Sequence, residues 1–194
     1  MKELVILVHG FNVWDGGIST VGKLRPFFAE EGYPYIMLDY GTFDIVKTYL
    51  KNKKVAKEVA TACENAKLSG YEVIVVGHSN GCAIIDIASK EFNAPIKKAV
   101  YINPALNKDK ERSPTVGSID VWHSPSDKPV KWAKLLPFHP WGEMGATGYI
   151  GEDPKIVNYN KEDMKLSSSE HSDMFSTELL PFYGRLVVKT AQQQ

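Results

Sequence analysis

The sequence predicts an α/β protein: a mostly parallel central sheet of about six strands with helices on both faces. Three observations predict it. Leu4-Val5-Ile6-Leu7-Val8 and Val73-Ile74-Val75-Val76 are unbroken aliphatic runs, the pattern of strands covered on both faces. Amphipathic stretches of ten or more residues stand between and after such runs, long enough for crossover helices. Their alternation implies βαβ units with right-handed crossovers and hence a parallel sheet.

The elements follow in order. Leu4 to Val8, ended by Gly10, is the first strand. Ser19 or Thr20 can cap a helix through Val21, Leu24, Phe27 and Phe28, with Gly32 as its stop. Tyr33 to Leu38 is the second strand, and Val46 to Ala66 an amphipathic helix whose Val55, Val59, Cys63 and Ala66 recur on one face. Val73 to Val76 leads through a glycine-bounded turn into the apolar stretch Cys82 to Ala88. Lys97 to Ile102, Ser118 to Trp122 and, more weakly, Lys155 to Tyr159 are further strands. Val130 to Leu136 reads as a helix, whereas proline and glycine argue against one in Pro137 to Gly148, whose Trp141 and Met144 are expected at a pocket rim or short flap. A last helix is expected from about Ser172 to Thr190, broken at Pro181 and Gly184.

Length and composition bound the rest. A chain of 194 residues suits one domain, 1–194, around one core. With 43% hydrophobic and 24% charged residues it has ordinary globular usage. Its 23 basic and 23 acidic side chains cancel, which argues against a nucleic-acid or anionic-membrane partner. The run Lys47, Lys51, Lys53, Lys54 and Lys57 has helical spacing and reads as a solvated outer face. Cys63 and Cys82 lack metal-ligand spacing and are expected as buried reduced thiols. No apolar run reaches spanning length or resembles a secretory signal, so a cytoplasmic protein is expected.

In open parallel sheets reactive groups gather at the carboxyl ends of strands. After Val76 stands Gly77-His78-Ser79-Asn80-Gly81, a G-x-S-x-G string. Gly and Ser at ordinary frequency would match its fixed positions by accident in about one of fifteen such chains, so the context decides. It falls between a buried strand and an apolar helix, where so tight a turn strains its central residue and pushes the hydroxyl above the sheet.

On these residues the chain resembles the α/β-hydrolase family, from its first strand to its last histidine. The resemblance implies a minimal, lidless serine hydrolase of the esterase or lipase kind, with Ser79 as nucleophile. It also implies an oxyanion hole made by the N–H groups of Asn80 and Phe11. His9-Gly10 looks like the family's His-Gly pair, but Phe11 and Asn12 stand where a glycine-tripled loop would continue. His9 is expected to buttress that loop. The family order of serine, acid and histidine singles out His171 among the five histidines and Asp127, in Ser124-Pro125-Ser126-Asp127, as its acid, with Asp153 as fallback.

Asn12, Trp14 and Trp141 are the candidate substrate-binding residues. The expected chemistry is hydrolysis of a carboxyl ester of a small-molecule or acyl substrate, without metal or organic cofactor. A thioesterase, an amidase or peptidase, and a silent binding protein on the same fold are the alternatives. Oligomeric state is left open by the sequence.

Overall fold

In the computed structural model the structure describes residues 2–11, 13–42, 48–127, 141–164 and 171–193. The aliphatic runs become β1 (Lys2–Val8) and β3 (Tyr71–His78). They pair in parallel through the register Val5 with Ile74 and Leu7 with Val76. With β2 (Tyr35–Leu38), β4 (Lys98–Ile102), β5 (Ser118–His123) and β6 (Ile156–Asn160) they form one six-stranded sheet in the order β2-β1-β3-β4-β5-β6. Every neighbouring pair is parallel, as the alternation of strand and helix requires.

The strand period of two divides the core in two. Leu4, Ile6 and Val8 face α2 (Thr48–Leu68) and α3 (Asn80–Phe92), packing with Val55, Val59, Cys63, Ile84 and Ile85. Val5 and Leu7 face the opposite layer, where Leu24, Phe28, Tyr183 and Val187 cover them. In α2 the buried positions Asn52, Val55, Ala56, Val59, Ala60, Cys63 and Ala66 keep the three-four spacing of one helical stripe. The helix ends before Gly70, whose φ of 83° is left-handed. Of the lysine-rich run, Lys53, Lys54 and Lys57 are exposed on α2, where Lys53 pairs with Glu91, and Lys47 lies outside the described residues.

Four expectations are corrected. The helix expected from Ser19 or Thr20 is a 3-10 turn, Val21–Leu24, followed by α1 (Arg25–Glu30). Pro26 has no N–H to continue the earlier ladder, Arg25 N–H closes the turn on Gly22 O, and Thr20 makes no side-chain cap bond. The stretch read as non-helical contains α4 (Met144–Thr147), one turn. Met144 is fully buried in the core rather than at a rim. Its N–H bonds Leu106 O, and Gly142 and Gly145 lie where side chains would strike the backbones of Leu106 and Asn103.

The last helix, α5 (Leu180–Gln192), is not broken at Pro181. The proline lies in its first turn, where its missing N–H costs nothing. Gly184 lies within the helix, and the Phe27 ring packs where its Cβ would be, 2.7 Å from Phe27 Cε2. Upstream, Asp173–Phe175 forms a separate 3-10 turn. The helix expected at Val130 to Leu136 lies outside the described residues.

At the amino edge of the sheet, buried Lys98 pairs with Asp120 at 3.1 Å and donates to the carbonyls of Thr190 and Gln193, fastening the end of α5. Among the described residues no helix is long and apolar enough to cross a membrane.

Candidate active site

The sheet order changes direction at β1 and β3, so the crevice beyond their carboxyl ends is where a ligand fits this topology. Gly77-His78-Ser79-Asn80-Gly81 ends β3 and starts α3 there. Ser79 has φ 54° and ψ −120°, a conformation a non-glycine residue holds only at a cost of about 1–3 kcal/mol. The surroundings enforce it: Ser79 N–H bonds Ile102 O, while Ser79 O accepts from Cys82 N and Ala105 N.

The glycines of the motif are required sterically. A Cβ on Gly81 would lie 2.3 Å from Val8 O, and one on Gly77 2.6 Å from Ile85 Cδ1. One on Gly10 would come within 3.2 Å of Ser79 Cβ. Between fully covered His78 and Asn80, Ser79 alone of the three keeps partial exposure. Asn80 is the first residue of α3, so no intrahelical carbonyl can take its N–H.

His171 and Asp127, 44 residues apart, meet above this turn. His171 Nδ1 lies 3.0 Å from Asp127 Oδ1 and 2.9 Å from Oδ2. Because a carboxylate only accepts, Nδ1 is the donor, which in the neutral ring leaves Nε2 as the acceptor. The His171 ring packs on His78, the neighbour of Ser79, with centroids 4.9 Å apart. His78 Nε2 donates to His171 O at 3.3 Å. Burial first, and the neighbouring His171 imidazole second, push the His78 imidazole down to about 3, so it stays neutral.

The acid is held from several sides. Asn103 Nδ2 donates to Asp127 Oδ2 at 2.6 Å, and Asp127 N–H bonds Ser124 O. Asn103 itself has φ 45°, while its N–H bonds Trp122 O. Gly145 of α4 lies against the pair, its absent Cβ 3.1 Å from Asp127 Oδ2. Glu162 accepts from the N–H and hydroxyl of Ser126 in the same loop. Two residues past His171, Asp173 pairs at 3.3 Å with fully buried Lys161, whose affinity for its proton burial lowers and Asp173 partly restores.

His9 is fully buried and buttresses its loop. Nδ1 donates to Gly10 O at 2.8 Å, Nε2 accepts from Tyr40 N–H at 3.4 Å, and burial lowers its basicity. Phe11 stands edge-on to Trp141 at 5.1 Å. Trp141 is buried, and its indole N–H donates to Asn80 Oδ1 at 2.7 Å. Trp14 is 85% exposed. Asn12 lies outside the described residues. Asp153, the fallback acid, neighbours Lys155 instead.

Sequence reasoning missed Asn103 and Tyr40. Each follows a strand end by one or two residues, a position that marks it for inspection without giving its role. Among the described residues no three His, Cys, Asp or Glu side chains are grouped to hold a metal ion.

No family model and no curated protein matches the chain by sequence. Solved structures match its shape. A protein of the alpha/beta superfamily from Xanthomonas campestris pv. campestris superposes with a TM-score of 0.62 at 15% identity, covering 100% of both chains. The mouse alpha/beta hydrolase domain-containing protein 10 gives 0.64 at 11%, covering 96% of this chain and 88% of its own. A monoacylglycerol lipase of Paleococcus ferrophilus gives 0.60 at 12%, covering 98% and 96%. The chain is an α/β-hydrolase-fold protein.

Proposed function

We infer that the protein is a serine hydrolase that cleaves carboxyl esters through an acyl-enzyme. The observation that carries this reading is the Asp127–His171 hydrogen bond, whose imidazole packs on His78, the residue before the strained, partly exposed Ser79. A strained serine alone has several explanations, but a strained serine one residue from a side chain that packs on a carboxylate-held imidazole has one chemistry that uses every part.

In the proposed reaction Ser79 Oγ attacks the substrate carbonyl carbon while His171 Nε2 takes its proton. Asp127 stabilises the imidazolium, and the N–H groups of Phe11 and Asn80 receive the charge developing on the carbonyl oxygen. The tetrahedral adduct collapses, the ester C–O bond breaks, and the proton on His171 leaves with the alcohol. Water then attacks the acyl-serine as His171 removes its proton, and the acid departs as Ser79 Oγ regains one. The lipase among the similar structures supports esters as the class to examine first, and so does their smaller need for leaving-group protonation. Phe11 and Trp141 form an aromatic wall next to Asn80, suited to an apolar acyl or alcohol part.

The test is a fluorophosphonate probe together with nitrophenyl esters of graded acyl length. Labelling and turnover that disappear in Ser79→Ala are expected. A folded protein that neither labels nor turns over any ester refutes the reading and leaves a binding role for the fold.

A further inference from the structure

We propose that Tyr40 is a positioning residue that holds the two oxyanion donors in register with each other. This inference rests on the acyl-transfer reading above and adds a residue to its machinery. The donors lie past the ends of neighbouring strands, Phe11 after β1 and Asn80 after β3, and the strand register runs only to Val8 with Gly77, short of both donors. Tyr40, two residues beyond β2 on the far side of β1, supplies the joint.

The direction of each hydrogen bond follows from Trp141. Its indole N–H can only donate, so the Asn80 atom facing it is Oδ1. Asn80 Oδ1 also accepts from Asn52 Nδ2 at 2.8 Å, while Asn80 Nδ2 donates to Asn52 Oδ1 at 2.9 Å. The remaining amide hydrogen of Asn80 serves the Tyr40 hydroxyl, which accepts it. That hydroxyl's one proton is shared between His9 O, the nearer acceptor, and Gly10 O at 2.9 Å. Gly10 O belongs to the peptide unit whose nitrogen is the Phe11 N–H. One polar chain therefore runs from Asn80 through Tyr40 to the peptide that presents the other donor.

The Tyr40 ring is fixed as well. It stacks on His9 at 3.8 Å with planes 13° apart, and its backbone N–H bonds His9 Nε2. Preorganised donors cost no rearrangement when charge develops, so their alignment acts on the transition state more than on bound substrate.

The experiment compares wild type, Tyr40→Phe, Asn52→Leu and Ser79→Ala on a soluble nitrophenyl ester, with melting temperatures and inhibition by an alkyl boronic acid, which forms a tetrahedral serine adduct. Tyr40→Phe keeps the ring stack and removes the hydroxyl. Its kcat should fall about 10-fold or more, below the ~10²–10³ seen for loss of a donor itself, with KM within about twofold. Boronate affinity should fall in parallel with kcat, whereas a purely structural role would lower the melting temperature and leave both unchanged. Should Tyr40→Phe fail to fold, Asn52→Leu, which removes the amide bracing Asn80 from α2, should show the same kcat-only loss. Kinetic and boronate constants at wild-type level in a folded Tyr40→Phe, or in Asn52→Leu where that variant stands in, overturn the assignment of Tyr40 while the hydrolase reading stands. A wild type without turnover or labelling overturns both.

Discussion

His78 lies under His171, and its neutral state makes stability depend on pH in a definite window. The imidazole is buried, its Nε2 serves His171 O, and its Nδ1 has no hydrogen-bond partner among the described residues. A proton on Nδ1 would thus be a buried unpaired donor facing the His171 imidazole and the charge of Lys161, with Asp127 only partly compensating. The folded group titrates at about 3 against 6.5 in the unfolded chain. Between those values the unfolded state binds the extra proton, so stability rises with pH: the contribution is fully present above 6.5 and is lost as pH falls toward 3. From pH 7.5 to pH 5 the loss is ~2 kcal/mol, and across the whole window roughly 5 kcal/mol. Urea unfolding of wild type and His78→Gln at pH 7.5, 6 and 5 measures it. Glutamine can place an amide N–H near Nε2 without titrating, so the pH slope attributable to residue 78 should vanish while carboxylate contributions persist in both proteins. Slopes that agree within about 0.5 kcal/mol over this range would refute the burial argument.

Three further outcomes are expected. Asp127→Asn should lower kcat on a nitrophenyl ester by about 10⁴, because the amide can donate to His171 Nδ1 and favour the wrong tautomer, while the far-ultraviolet spectrum stays unchanged; steady-state kinetics on the folded variant check it. Gly81→Ala forces a methyl to 2.3 Å from Val8 O, a backbone contact that cannot yield cheaply, and should destabilise by roughly 3 kcal/mol or fail to fold, as read by thermal melting. Lys98→Met leaves Asp120 buried without its ammonium and should cost ~3–5 kcal/mol in urea unfolding, a loss that combining it with Asp120→Leu should largely recover.

What could be read from the sequence divides along physical lines. Residues 4–8 and 73–76 declare their strands because a run of branched aliphatics has few other uses, and the glycines around Ser79 declare the turn because nothing larger fits. His171 and Asp127 were reachable through chain order, and the structure brings their side chains together. Asn103 was not, since a left-handed asparagine at a strand end has no sequence signal apart from its position. Tyr40 escaped for the same reason: its importance comes from three hydrogen-bonding neighbours that converge only once β2, β1 and β3 are side by side. Pro181 and Gly184 misled because each breaks a helix in isolation. The first-turn position of Pro181 removes that cost, and Gly184 lies within the helix with the Phe27 ring against it.

The two thiols give the fold a built-in clock. Cys63 and Cys82 are both free and sealed within the layer where α2 and α3 meet the sheet. Burial raises both, Cys63 to about 12, far from the thiolate form that reacts. A maleimide should ignore the native protein and consume these sulfurs at the pace at which that layer opens, so that alkylation kinetics time the loosening of the very helices that carry Asn52 and Asn80.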